Sequence, residues 1–310
     1  MNGAVRERMG LMLIVMEQVL LLILFAAVGY ILCKTGKVNS QHTKLLSALH
    51  VYVFLPCTVV NTYANNFTIP YIREKYPLLI SSAVIMVVMV VVGRIVAKPL
   101  AKEKYMQDVY SYSLAVSNYG GFGYPLVSGL FDDLMLQNAM IFALPISVYT
   151  STLGYAMLTK TKISLKKILN PVIVASIAGA VIGLTGIELP YVLNSMLTKL
   201  GACMAPIGML LVGMVVSEFD LAALLKGKTN YFVAVLRLLV IPCAIAGTLR
   251  LLGLEEIVIP ALMMHAMPCG MNTVIFPRLV GEDCRPGAAL TVLTSLLACV
   301  TVPLCVVLFS

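Results

Sequence analysis

Two glycine- and proline-containing stretches interrupt apolar sequence that would otherwise form long helices. The first is 117–126, Ser-Asn-Tyr-Gly-Gly-Phe-Gly-Tyr-Pro-Leu, and the second is 266–277, Ala-Met-Pro-Cys-Gly-Met-Asn-Thr-Val-Ile-Phe-Pro. Glycine and proline make a continuous helix costly. Broken backbone at membrane depth is tolerated only where protein buries it or where it lines a watery cavity. Such breaks are typical of the binding sites of secondary transporters. They are therefore the first candidate site.

The two breaks carry groups that suit a small anion. The second half of each broken helix, predicted to begin near Tyr124 and Thr273, offers unpaired N–H groups and a partial positive charge. Asn118 and Asn272 can each donate and accept hydrogen bonds, so they either bind substrate or repair the broken backbone. The predicted substrate-binding residues are Asn118, Tyr119, Gly120, Gly121, Gly123, Pro125, Arg237, Pro268, Gly270 and Asn272.

Arg237 is the base that lies well inside an apolar run, Val-Ala-Val-Leu-Arg-Leu-Leu-Val. A buried arginine must be paired or face water, and its planar fork suits a carboxylate. The alternative is that Arg237 caps carbonyl groups of a broken helix. Glu17 is the acid inside an apolar run, either near the membrane interface or in ion coupling. His50 and His265 are expected to be hydrogen-bonded packing residues.

The composition predicts an integral membrane protein. Of 310 residues, 60% are hydrophobic and 12% are charged, whereas about a quarter of a soluble domain is charged. The net charge of +8 sits in short loops, which does not indicate nucleic acid. The eight cysteines form no C-x-x-C pair, so we expect free thiols and neither a metal nor a cofactor. The first apolar run precedes Lys34 and Lys37 without a cleavage site, which favours a retained span over a signal peptide.

Apolar runs of about 20 residues predict an all-α protein with ten transmembrane helices. The predicted spans are Leu11–Cys33, Thr43–Tyr63, Pro77–Ala97, Asp108–Phe131 (broken), Leu136–Leu158, Ile168–Leu184, Val192–Val216, Asn230–Leu252, Ile257–Val280 (broken) and Gly287–Leu308. A basic linker, Lys160–Lys167, separates the two halves.

The two halves match weakly but at a constant offset. Gly29 matches Gly179 and Pro56 matches Pro206 at 150 residues, and Ala139 matches Ala288 at 149. At that last offset the two breaks coincide. Residues 1–160 and 161–310 are therefore predicted to form two repeats of five spans each. Because five is odd, the second repeat enters from the opposite side, so the repeats are inverted.

Basic residues predict the orientation. Fifteen lie on the side of the basic linker and five on the other side. Since bases collect in the cytoplasm, both termini are expected on the non-cytoplasmic side of the cell (inner) membrane.

Asn-Tyr-Gly-Gly-Phe-Gly-Tyr-Pro-Leu at 118–126 resembles the glycine-rich break of the auxin efflux carrier family, and Ala-Met-Pro-Cys-Gly-Met-Asn at 266–272 resembles its second break. Leu55-Pro56, Asn170-Pro171 and Thr301-Val-Pro303 also fit. The resemblance implies a fold similar to sodium/proton antiporters and bile-acid symporters, in which the broken helices 4 and 9 cross. It also implies auxin-like, malate-like or malonate-like substrates. The short linker places the chain with the short, prokaryote-like branch.

These observations together predict a secondary active transporter of a mono- or dicarboxylate with an elevator mechanism. Spans 1, 2, 6 and 7 would form a scaffold, and spans 3–5 and 8–10 a transport group. The predicted partners are the substrate anion and the lipid bilayer. Na⁺ and H⁺ are candidate coupling ions, and a homodimer is the candidate assembly. One alternative is an ion-coupled transporter of another solute on the same fold. A remote alternative is an intramembrane enzyme such as a prenyltransferase. That class needs two metal-binding aspartate motifs, and the sequence has no second motif to pair with Asp132-Asp133.

Overall fold

The computed structural model describes residues 3–39, 43–164, 168–220 and 226–309, and this part of the chain is helical without strands. The helices are α1 Gly3–Lys34, α2 Thr43–Asn66, α3 Ile69–Leu100, α4 Lys104–Ala115, α5 (a π turn, Tyr119–Gly123, followed by Tyr124–Leu130), α6 Asp133–Thr159, α7 Pro171–Thr185, α8 Tyr191–Val216, α9 Lys228–Leu251, α10 Glu255–His265, α11 Asn272–Leu279 and α12 Arg285–Phe309.

Seven of these helices are long and apolar enough to cross a membrane: α1, α2, α3, α6, α8, α9 and α12. Helix α7 is apolar but has only 15 residues. The ten predicted crossings would add α7 and the two broken segments, α4–α5 and α10–α11, to these seven. The chain is thus a multi-pass membrane protein.

The third helix begins at Ile69, earlier than the predicted Pro77. The Thr68 hydroxyl accepts a hydrogen bond from the N–H of Tyr71 at 3.3 Å, and Pro70 occupies the first turn, where its missing N–H costs nothing. The charged residues Arg73 to Lys75 are therefore helical. Residues 165–167 of the basic linker lie outside the described residues.

Helices α1, α2, α7 and α8 pack as one group through close glycine contacts. Gly29 of α1 lies against the carbonyl of Leu210 in α8, and Gly179 of α7 lies against Val60 in α2. A Cβ atom on Gly179 would be 2.7 Å from the Cβ of Tyr63, so a larger residue would force the helices apart. Gly179 lies 150 residues after Gly29, and Leu210 lies 150 residues after Val60. The two contacts are therefore related by the offset of the sequence repeat.

The remaining helices form a second group. Helix α3 packs on α4 and α6, α10 packs on α6 and α9, and α12 packs on α9 and α11. The two groups meet chiefly where α5 contacts α1 and α8, where α2 contacts α6, and where α1 contacts α12. The first broken segment therefore lies at the boundary between the groups.

Candidate functional site

The first break begins where α4 ends. Val116 is extended, with φ −116° and ψ 126°, a helical turn resumes at Tyr119, and the regular α-helix begins at the predicted Tyr124. The Asn118 side chain explains the helical turn ahead of Tyr124, because its Oδ1 accepts a hydrogen bond from the N–H of Gly121 at 3.2 Å. A π turn follows, and its wider spacing is frequent at functional sites.

The two breaks are hydrogen-bonded to each other. Ser117 and Cys269 form an antiparallel β-bridge, and the N–H of Asn118 donates to the carbonyl of Pro268 at 2.8 Å. The Ser117 hydroxyl donates to the Met264 carbonyl at 2.5 Å. The two breaks therefore contact each other. Backbone groups that two broken helices leave unpaired satisfy one another across the contact, as a low-dielectric interior requires.

Neighbouring side chains complete the pairing at the second break. The Thr294 hydroxyl of α12 accepts from the N–H of Cys269 at 3.0 Å and donates to the Leu290 carbonyl at 2.6 Å. Gly270 lies against break one, since an added Cβ would be 3.2 Å from the Ser117 carbonyl oxygen. Thr294 was not among the predicted site residues, because a threonine inside an apolar helix carries no distinctive sequence signal.

The two asparagines, each expected either to bind substrate or to repair the broken backbone, make different contacts. Asn118 caps its own helix, whereas the Asn272 side chain donates to the hydroxyl of Tyr112 in α4 at 3.2 Å. Tyr112 is fully buried, and its ring stacks against Tyr149 with centroids 6.3 Å apart. The sequence analysis missed Tyr112. The signal was the polar run Tyr-Ser-Tyr-Ser at 110–113 just before the break.

Arg237 lies in a π turn of α9, Leu236–Val240, and is fully buried. Its Nη1 donates to the carbonyl of Leu114, in the last turn of α4, at 3.1 Å. That bond is the carbonyl-capping contact of the alternative interpretation. Its Nε and Nη2 have no hydrogen-bond partner among the described residues. Arg237 therefore brings a positive charge and free donor capacity next to the first break.

The two histidines are buried, but not as expected. His265, which ends α10, packs edge-on against Phe142 at 5.9 Å, and neither ring nitrogen has a partner among the described residues. The prediction of a hydrogen-bonded packing residue is therefore wrong for His265. His50 lies in a π turn of α2 against Gly208, and its Nδ1 is likewise unpaired within the described chain.

A cleft of about 350 Å³ separates the two helix groups beside α5. We call it the interface cleft. Thr58 and Thr62 of α2 line one wall, and Pro125 and Ser128 of α5 line the opposite wall. Gln18 of α1 and Asp133 of α6 add polar groups. Pro125 is thus the predicted site residue that borders this opening, while Gly120 and Gly121 are half-buried nearby.

The counterpart of the interface cleft in the second half is closed. Val212 and Val215 of α8, Val274 of α11 and Ala288 of α12 surround only about 10 Å³ of space. Val212 lies 150 residues after Thr62, and Val274 lies 149 after Pro125, so the two places correspond under the sequence repeat. The cleft between the helix groups is thus open in the first half and nearly filled at the corresponding place in the second half.

Acidic side chains are absent from the interior of the described chain, because none of its buried polar residues is Asp or Glu. Glu17 is exposed on α1, which favours the interface position over ion coupling. Asp132 caps α6 by accepting from the N–H of Met135 at 2.9 Å. This acidic pair therefore has a structural explanation at a helix start.

Comparison with known proteins agrees with this architecture. A family model described as "Membrane transport protein" matches the chain twice, over residues 14–165 and 156–306. A protein described as an uncharacterized transporter from Methanocaldococcus jannaschii is 26% identical over 290 residues, which cover 88% of this chain and 92% of that protein. The double match is what two repeats would produce. The chain belongs to this membrane transport protein family, the auxin efflux carrier family.

Proposed function

We propose that the protein is a secondary active transporter of a small organic anion, a mono- or dicarboxylate. The main support for the proposal is the contact between the two breaks, together with the buried guanidinium of Arg237 next to the first break. The Ser117–Cys269 bridge fixes two helix starts side by side, and helix starts favour negative charge. Asn118, Tyr119, Gly120, Gly121, Gly123, Pro125, Pro268, Gly270, Asn272 and Arg237 would form the substrate site.

The charges around the junction favour an anion over a cation. A buried cation site is expected to contain a carboxylate, and the described interior contains none. The buried charge is instead the Arg237 guanidinium, with two donor nitrogens unpaired among the described residues. A bound carboxylate would accept hydrogen bonds from these two nitrogens and neutralise the buried charge.

We further propose ten crossings arranged as two inverted repeats, with both termini on the non-cytoplasmic side of the cell membrane. The open and closed clefts at repeat-related positions support this arrangement. In the proposed orientation the interface cleft opens outward and the closed place faces the cytoplasm. An outward-facing state of an alternating-access transporter would look like this.

The packing supports an elevator motion of the second helix group against the first. The interface cleft lies between α1, α2 and α8 on one side and α5 and α6 on the other. The breaks are hydrogen-bonded to each other within the second group. They would therefore travel together, while the glycine contacts hold α1, α2, α7 and α8 as a unit.

Ligand-dependent melting of the purified protein tests the anion proposal. The ligands are malate, malonate and an aromatic monocarboxylate, each with its neutral amide as a matched control, with and without sodium at two pH values. A ligand that binds the native state raises the melting temperature by mass action. We expect saturable stabilisation by a carboxylate and none by its amide. Stabilisation confined to neutral or cationic solutes would contradict the proposal.

A further inference from the structure

A second cleft lies away from the breaks, between the end of α3, the start of α4 and the end of α6. It encloses about 550 Å³. We call it the basic cleft, because three bases line it, Arg94, Lys98 and Lys104, against the single acid Asp108. It shares no lining residue with the interface cleft. The basic cleft is thus a separate cavity with a net positive charge.

Two of these bases have no acidic partner. Lys104 pairs with Asp108 at 2.6 Å, whereas Arg94 and Lys98 make no ion pair among the described residues. The turn that carries Lys98 is fixed, because the Gln107 amide donates to the carbonyl of Ala101 at 2.8 Å and to that of Lys98 at 3.3 Å. Arg94 and Lys98 therefore present two unneutralised charges from a fixed backbone.

Ser111 adds a buried hydroxyl to the same cleft. It is 2% exposed, it lines the cavity, and its Oγ has no hydrogen-bond partner within the described chain. A buried hydroxyl without a partner costs free energy, which a bound acceptor oxygen would recover. The cleft thus combines two free cations with an unused donor, which is the set of groups that a phosphate ester requires.

The opposite wall is apolar and continues onto the membrane-facing surface. Leu153 and Ile163 line the cleft and are 42% and 56% exposed. Along α3, an exposed apolar face runs from Leu79 to Ile95 and stops at the bases. That face is about 24 Å long at 1.5 Å per residue, so Arg94 and Lys98 lie near the depth of lipid headgroups.

We propose that the basic cleft is a binding site for an anionic phospholipid. The headgroup phosphate would contact Arg94, Lys98 and the Ser111 hydroxyl, and an acyl chain would lie along Leu153 and Ile163. A soluble phosphate would use the cations but leave the apolar wall uncovered. The proposal does not depend on which solute is transported.

Lipid titration of the delipidated protein in neutral detergent tests the site. The probes are short-chain phosphatidylglycerol, phosphatidylcholine with the same chains, and inorganic phosphate. Native mass spectrometry counts the bound lipids, and melting temperature reports their effect. We expect phosphatidylglycerol to bind at least about tenfold more tightly than phosphatidylcholine, and this preference to shrink in high salt.

The Arg94→Gln/Lys98→Gln double variant should lose about tenfold in phosphatidylglycerol affinity. The matched control, Lys34→Gln/Lys37→Gln, removes the same charge from the end of α1 and should bind like the unmodified protein. Ser111→Ala keeps every charge and should still weaken binding severalfold. Melting without lipid checks that each variant folds, and Lys98→Gln alone replaces the double variant if it does not.

Three results would overturn the proposal. Equal weakening in the α1 control would indicate general charge attraction to the lipid. Stabilisation by inorganic phosphate equal to that by phosphatidylglycerol would assign the site to a soluble ligand. Unchanged binding in folded Lys98→Gln and Ser111→Ala variants would remove the cleft from consideration.

Discussion

Arg278 of α11 and Glu218, just beyond the end of α8, form an ion pair that joins the two helix groups. The other ion pairs among the described residues stay within the second group: Lys75 with Glu74 and Glu256, Lys104–Asp108, Lys160–Glu282, Arg250–Glu255 and Arg285–Asp283. The crossing pair lies at the same end of the bundle as the closed counterpart of the interface cleft. The pair is therefore placed to hold the two helix groups together beside this closed counterpart.

Glu218→Gln should make the closed side open more often. A partly exposed ion pair contributes up to about 1 kcal/mol, so the open population should rise by as much as fivefold. A single cysteine at Val215, 6% exposed on the closed side, reports opening through its maleimide labelling rate in a cysteine-free background. The control is Glu282→Gln, which breaks a 2.6 Å pair with Lys160 inside the second group. Equal labelling rates in the two variants would show that the Arg278–Glu218 ion pair does not keep the closed side closed.

Arg237→Met separates the two interpretations of the buried arginine. If Arg237 only caps the Leu114 carbonyl, its loss leaves that group unpaired and should lower stability by about 1–3 kcal/mol. If it serves the substrate, the variant should fold with little change, since a partly unpaired buried charge is removed, and anion-dependent stabilisation should disappear. We expect the second result, measured as melting with and without anion. Arg237→Lys should weaken anion binding less than Met does.

Tyr112→Phe should weaken anion binding while leaving the fold intact. The change removes the hydroxyl that holds the Asn272 side chain, and one such bond is worth about 1 kcal/mol, or roughly fivefold in affinity. Tyr149→Phe is the matched control, because the Tyr149 hydroxyl has no partner among the described residues and its ring stacks on Tyr112. Asn118→Ala and Asn272→Ala should abolish binding. Identical affinities in the two phenylalanine variants would argue against this contact.

Cysteine labelling checks the topology. Single cysteines at Thr161 and at the C-terminus, each in a cysteine-free background, should react from opposite faces of the membrane. An impermeant maleimide added outside intact cells should reach the C-terminus alone. The reason is the distribution of fifteen bases against five. Labelling of both positions from outside would rule out the ten-crossing arrangement.

Crosslinking tests the elevator motion. A bifunctional reagent joining cysteines at Thr62 and Ser128 would bridge the interface cleft, whose walls belong to different helix groups. It should stop transport, because the walls must slide past each other. The control joins cysteines in place of Lys75 of α3 and Glu256 of α10, whose side chains form an ion pair within the second group and away from the breaks, and it should leave transport intact. Continued transport with the first crosslink complete would eliminate sliding at this boundary.

The sequence by itself determined the features that depend on local composition. Long apolar runs predict membrane helices because each segment must satisfy its own backbone. The glycines and prolines at 117–126 and 266–277 locate both breaks because these residues disfavour helix wherever they occur. Arg237 was conspicuous for the same local reason, as a charge in an apolar run.

The tertiary structure decided which groups meet. The Arg237–Leu114 and Asn272–Tyr112 bonds join residues 123 and 160 positions apart, and no local pattern specifies such pairs. It also gave Asn118 and Asn272 different contacts and placed a π turn ahead of the predicted helix start at Tyr124. The ring nitrogens of His265 have no hydrogen-bond partner within the described chain. The open and closed clefts depend on how the two helix groups pack against each other. That packing is set by distances between residues far apart in the sequence, which local sequence patterns do not specify.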